Sequence, residues 1–128
     1  MIRILKTLPA IALIGSMSVC ASSALAAGDA AKGATLFKIC SICHTTAKGG
    51  ASLIGPNLFG VVGRKAGSAA GYAYSPAMKG SGLTWDEGTL AKFLLSPSTT
   101  VAGTKMVSSS VKSQGDADSV AAYLATLK

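Results

Sequence analysis

The chain holds a single histidine, His44, among 128 residues, and only three cysteines, of which Cys20 lies close to the start. Acidic residues are scarce as well, five against twelve lysines and arginines, for a formal charge of +7. Large aromatic side chains are limited to three Phe, three Tyr and one Trp, and no segment alternates apolar and polar residues as a half-buried strand does. Each shortage excludes something. One histidine rules out a metal held by two imidazoles of the same chain. Cys40, Cys43 and His44 fall one short of the four N or S ligands of structural zinc, so zinc would need an unusual carboxylate or a second chain. A thioredoxin-type thiol pair usually sits near a βαβ pattern, and none surrounds these cysteines.

Long hydrophobic runs are also missing. The apolar stretch from Leu8 to Val19 is shorter than the ~20 residues needed to span a bilayer. Preceded by Arg3 and Lys6 and followed by Ala24-Leu25-Ala26, it has the layout of a secretory signal peptide over residues 1–26, cut after Ala26 with Ala27 the neighbouring alternative. Cys20 leaves with it. Residues 27–128 then form one exported, periplasmic domain of 102 residues with a charge of +5, without repeats or internal boundaries. A domain of this size has a marginal core unless a bound group or staple adds to it. The charge is too modest and unpatterned to argue for nucleic acid, and no stable membrane insertion is expected after cleavage.

What is present reads as helices around a loop-rich middle. Asp29 can cap a helix running through "AAKGATLFKICSICH", where Ala30, Gly33, Phe37 and Cys40 recur at helical spacing. Residues 48–82 are rich in Gly, Ser and Pro and predict loops with one short helix. "TWDE", Thr84 to Glu87, reads as a capping box ahead of Leu90, Phe93 and Leu94, and Pro97 ends that run. A loop from Ser96 to about Ser110 leads to a last helix beginning near Asp116, with Val120, Tyr123, Leu124 and Leu127 in one apolar stripe. The class is all-α, with three to five helices and too few large side chains to fill their centre.

The segment "KICSICH" supplies a candidate filling. On a helix turning ~100° per residue, Cys40, Cys43 and His44 share one face. Two thiols so placed can add across the vinyl groups of a haem while the adjoining imidazole reaches the iron, which is why C-x-x-C-H marks covalent attachment of haem c. A plain disulfide is the blander reading, permitted by export, but cysteines three apart within a helix make poor disulfide geometry and it would leave His44 idle. One haem c, bound through Cys40 and Cys43, would be the missing core.

The iron then needs a group on its other face. Beyond the leader the methionines are Met78 and Met106, and lysine is the remaining donor. Met106 lies in "TTVAGTKMVSSS", between two helices, where a thioether can be held by backbone, and it is preferred to Met78 in "SPAMKGSG". An open sixth position is the other option. It would suit a haem enzyme or gas-binding sensor rather than an electron carrier, although no distal catalytic histidine exists.

The motifs "CSICHT", "GPNLFGVVGRKAG", "YAYSPAMKGSGLTWDEGTLAKFL", "SPSTTVAGTKM" and "VAAYLATLK" together resemble the class I c-type cytochromes, in particular mitochondrial-like cytochrome c and its soluble bacterial relatives. The likeness covers residues 27–128, and no gap is needed between Cys40 and Met106. It implies a small class I fold around one covalent haem, with first and last helices crossing at Gly33 beside Phe37 and Tyr123. It implies His44 and Met106 as iron ligands and the Pro56 carbonyl as acceptor for the second His44 nitrogen. Arg64, Tyr72, Tyr74, Trp85 and Thr104 fall where relatives hold the haem propionates. Read as ordinary residues, Trp85 is core, Tyr72 and Tyr74 are loop packing, and Arg64 is solvated. Ala102, Phe93, Ser108 and Met78 depart from the mitochondrial pattern, and Met78 could compete for iron.

A carrier of this kind would be no enzyme but a monomeric periplasmic shuttle, moving single electrons from a membrane quinol-oxidising complex to an oxidase, reductase or photosynthetic reaction centre. Lys38, Lys48, Lys105 and Lys112 flank the attachment and methionine segments and could steer the protein to acidic docking surfaces of those complexes.

Overall fold

The computed structural model describes residues 28–107 and 110–128; the expected leader and Ser108 lie outside the described residues. Helix α1 (Ala30–Phe37) starts where Asp29, extended and at the N-cap, accepts from the N–H groups of Ala31 and Lys32 at 2.9 and 3.2 Å. The helix does not run on to His44 as its spacing suggests. It ends at Phe37, and a separate 3₁₀ turn forms over Cys40–Ile42. The Ser41 hydroxyl donates to the carbonyls of Phe37 and Lys38 at 3.4 and 3.0 Å, a back-bond of the kind that bends a helix. The helical bond returns one turn later, where the His44 N–H donates to the Cys40 carbonyl over 2.9 Å.

The loop-rich middle holds one short helix, α2 (Pro76–Lys79), with proline at its first turn and Ser75 capping it through the Met78 N–H at 3.1 Å. Helix α3 (Glu87–Leu95) is capped two residues later than expected. Asp86, not Thr84, is the N-cap, and accepts from the Thr89 N–H over 2.7 Å. The capping box fails because the backbone ahead of Asp86 is already committed. Thr84 pairs with Lys65 in an isolated antiparallel bridge, and Trp85 exchanges bonds with the Arg64 carbonyl and the Gly63 N–H at 2.9 and 2.7 Å.

Pro97 ends α3 but also opens α4 (Pro97–Thr100), inside what reads as loop. Proline fits the first turn of a new helix as well as it breaks an old one. Helix α5 (Gln114–Ala125) begins slightly ahead of Asp116 because Ser113 takes the cap, accepting from the Asp116 N–H at 3.2 Å.

α5 packs against both α1 and α3. Its Val120 and Leu124 are fully buried, and they join Leu90, Phe93 and Leu94 of α3 in the core. The approach to α1 is set by Gly33, where a Cβ would overlap the Ser119 carbonyl. Beside it the Phe37 and Tyr123 rings meet at 5.3 Å, and Lys32 pairs with Asp116 at 2.7 Å. The Gly60 N–H donates to the Leu127 carbonyl at 2.8 Å, tying the middle to the last turn. Among the described residues there is no strand, and no helix is long and apolar enough to cross a membrane.

Candidate functional site

The elements enclose a cavity of about 630 Å³, within the ~300–1,000 Å³ common for cofactor sites. Phe37, Val61, Trp85, Leu90, Phe93 and Leu124 form much of its wall, and all are buried. The residues expected to hold the haem and its iron all open on it: Cys40, Cys43, His44, Pro56, Arg64, Tyr72, Tyr74, Trp85, Thr104 and Met106. Among the described residues no three His, Cys, Asp or Glu side chains converge to hold a metal ion by themselves. Cys40, Cys43 and His44 share a cavity wall instead.

The 3₁₀ turn carries Cys40 and leads straight into Cys43 and His44. Both thiols are free and half-buried. Burial pushes the Cys40 thiol above its ordinary value of 9.0, its own backbone N–H draws it back, and the Cys43 thiol adds to the rise. The His44 Nδ1 lies 2.8 Å from the Pro56 carbonyl oxygen. A carbonyl only accepts, so Nδ1 carries the proton and Nε2 keeps its lone pair for a metal.

The turn that presents Pro56 is fixed by its neighbours. Gly55 donates to the Cys43 carbonyl over 2.8 Å and lies so close that a Cβ would collide with the His44 ring. Asn57 donates from Nδ2 to Thr45 Oγ1 and the Ala47 carbonyl at 2.8 and 2.9 Å, and its Oδ1 accepts from the Phe59 N–H at 2.9 Å. Neither residue was picked out from sequence, although both flank Pro56 in "GPN".

Arg64 is not solvated. Its Nη2 donates to the Asn57 carbonyl at 3.1 Å and its Nη1 to the Phe59 carbonyl at 3.3 Å. Its Nε is buried with no hydrogen-bond partner. A guanidinium edge left unpaired beside an apolar cavity fits an anionic group bound there. Tyr72 and Tyr74 pack edge to face at 4.8 Å, and the Tyr74 hydroxyl accepts from the Ala69 N–H at 3.2 Å. Trp85 is buried against Phe93, with ring centroids 5.0 Å apart.

On the methionine segment, Thr104 Oγ1 accepts from the Met106 N–H at 3.3 Å. Met106 is half-buried, whereas Met78 is buried on α2, and both line the cavity. The site thus offers two thiols, one imidazole poised by its carbonyl, two thioethers, a cation with an unpaired donor and an apolar wall. That donor set fits a haem, an apolar ring that carries anionic side groups.

The family described as cytochrome c matches residues 30–128. Cytochrome c2 of Rhodomicrobium vannielii is 52% identical over 119 residues, covering 91% of this chain and 93% of that one. Cytochrome c of Theileria annulata is 50% identical over 98 residues, covering 76% and 84% respectively. Among solved structures, cytochrome cH from Methylobacterium extorquens superposes with a TM-score of 0.71 at 46% identity, covering 77% of this chain and 99% of that one.

Proposed function

This chain belongs to the cytochrome c family and is an electron carrier built on one covalently bound haem c, for which Cys40 and Cys43 have the attachment spacing; we propose that His44 and Met106 hold its iron and that it shuttles electrons in the periplasm. The observation that carries this reading is the His44 Nδ1 bond to Pro56, made in a cavity that Cys40, Cys43 and Met106 also line. The haem supplies a one-electron ferric/ferrous couple. The protein's part is to fix and insulate it. Pro56 sets the tautomer and orientation of His44. Arg64 would take a haem carboxylate on its unpaired Nε, with Tyr72, Tyr74, Trp85 and Thr104 completing the polar surround. The buried wall of Phe37, Leu90 and Phe93 would keep water from the bound group. Held by the His44 imidazole and the Met106 thioether, the iron would have no place for a substrate, and the thioether would favour the electron-rich ferrous state.

Donor and acceptor are proposed as a membrane quinol-oxidising complex and a terminal oxidase, reductase or reaction centre. The carrier meets them as a monomer freed of residues 1–26. Lys38, Lys48, Lys105 and Lys112 are exposed, and Lys105 and Lys112 line the cavity itself, which supports docking on acidic surfaces.

The test is the mass and absorbance spectrum of the exported protein, expressed with a haem attachment system. The expected product carries one haem in its mass, shows a methionine–iron charge-transfer band near the red edge of the ferric spectrum, and does not shift with CO when ferrous. Met106→Ala removes the band and Met78→Ala leaves it. A band lost in Met78→Ala instead reassigns the ligand, and a CO-binding ferrous protein favours the open-site enzyme or sensor.

A further inference from the structure

Six large apolar side chains stand exposed among the described residues, and five of them, Ile39, Ile42, Leu53, Ile54 and Val107, fall in the three short segments that carry the attachment motif, lead into Pro56 and follow Met106. All five are more than half exposed. Apolar side chains scattered singly over a surface are ordinary, but a contiguous group marks a contact site. Backbone bonds join two of these segments. The Leu53 N–H donates to the Gly55 carbonyl over 2.9 Å and the Gly55 N–H to the Cys43 carbonyl over 2.8 Å, which sets Leu53 and Ile54 beside the 3₁₀ turn that bears Ile42. Ile39, Ile54 and Val107 edge the cavity, whereas Ile42 and Leu53 are outside its lining. A haem in the cavity therefore leaves Ile42 and Leu53 facing solvent.

We propose that this face seats a redox partner protein whose own contact patch is apolar at its centre and acidic at its border, and that Ile42 and Leu53 hold that partner beside the cavity mouth. This deepens the reading of the chain as an electron shuttle and rests on it. Charge selects among the occupants an apolar face could take. Lys38, Lys48 and Lys112 border the segments and are exposed. The five acidic residues, Asp29, Asp86, Glu87, Asp116 and Asp118, cap or belong to α1, α3 and α5, and none is within residues 38–57 or 101–112. A second copy would bring lysines against lysines, a like-charge juxtaposition that disfavours association. A lipid interface takes an amphipathic helix with an apolar stripe, and this face is a 3₁₀ turn and two loops without an aromatic ring. The lysines steer the partner in and the aliphatic side chains keep it there, so the two contributions differ in their response to salt.

The test is reduction of the ferric holoprotein by a soluble quinol on washed membranes of the organism that makes it, with KM and kcat for the holoprotein read at low and at high ionic strength. The double variant Ile42→Ser/Leu53→Ser is expected to raise KM about tenfold at both ionic strengths, the scale of two truncated aliphatic contacts. Its kcat, visible spectrum and denaturant midpoint are expected to match the parent's. Each single variant is expected to raise KM about threefold. Lys48→Ala is expected to raise KM at low ionic strength only, because screening removes its contribution. Leu95→Ser, at the sixth exposed apolar residue, on α3, is expected to leave KM unchanged. A double variant with the parent's KM at both ionic strengths overturns the apolar face while the shuttle reading stands. A parent that the membranes do not reduce overturns the shuttle reading and the face with it. A parent that sediments as a dimer or binds anionic phospholipid vesicles, with either property lost in the double variant, assigns the face to a second copy or to lipid and overturns the partner proposed here.

Discussion

The imidazole of His44 donates from Nδ1 to the Pro56 carbonyl over 2.8 Å, and the residue before that proline leaves no room for a side chain against the ring. Gly55→Ala would drive its Cβ into the imidazole. The expected cost is about 1–3 kcal/mol of stability, the usual scale of overpacking, together with an altered ferric spectrum as the ring turns. Pro56→Ala keeps the accepting carbonyl and should leave the spectrum as it is. Denaturant melts and visible spectra of the two variants check this, and a Gly55→Ala protein matching the parent in both would contradict the contact.

Two glycines of opposite character test the helix crossing. At Gly33 a Cβ would overlap the Ser119 carbonyl, so Gly33→Ala should separate α1 from α5 at a cost of about 3 kcal/mol or fail to fold. Gly115 is in the first turn of α5 with open space around it. Gly115→Ala should therefore stabilise the protein by about 0.5–1 kcal/mol through lower unfolded-state entropy. Denaturant midpoints of the pair measure both, and Gly33→Ala as stable as the parent would mean the helices do not approach as described.

Sequence legibility followed the range of the contacts involved. Cys40, Cys43 and His44 declare themselves because their relation is a spacing of a few residues, and the Leu90, Phe93, Leu94 and Val120, Leu124 faces because a helical period is local. The "TWDE" box misled because Thr84 and Trp85 are claimed by Lys65 and Arg64, partners distant in sequence. Periodicity does not register the end of α1 at Phe37, because Ala30, Gly33, Phe37 and Cys40 keep their helical spacing across it. Lys105 reads as a docking charge until its bond to Ala73, 32 residues away, is seen. Met106 and Met78 both face the cavity, so the preference for Met106 still stands on the sequence argument.

Arg64 divides its donors between the protein and the cavity, and the two roles separate by substitution. Arg64→Lys keeps the charge but cannot span the Asn57 and Phe59 carbonyls, so stability should fall by about 1–2 kcal/mol. Arg64→Met also removes a positive charge beside the haem. That charge favours the state with the extra electron, so its loss should lower the reduction potential, whereas Arg64→Lys should move it less. Redox titration of the two holoproteins decides this, and an Arg64→Met potential at or above the parent's would remove Arg64 from the haem's surroundings.

Acid stability should depend on two aspartates that sit at helix starts. Asp86 is held below the ordinary aspartate value of 3.8 chiefly by the Thr89 backbone N–H, then by the Thr89 hydroxyl. Asp116 is held below it chiefly by its bond to Lys32. Both values are lower in the folded chain than in the unfolded one. Their contribution is therefore fully present above 3.8 and is lost as pH falls through the folded values, because the unfolded state takes up protons first. Asp86→Asn retains a cap acceptor but cannot titrate, so it should match the parent at neutral pH and lose less stability on acidification. Asp116→Asn should flatten the same limb, and salt should shrink its effect because the Lys32 end of the pair is exposed. Any acid loss of the axial ligands is common to all three proteins and cancels in the differences between their denaturant midpoints. Parallel acid limbs for parent and both variants would show that neither carboxylate is linked to folding.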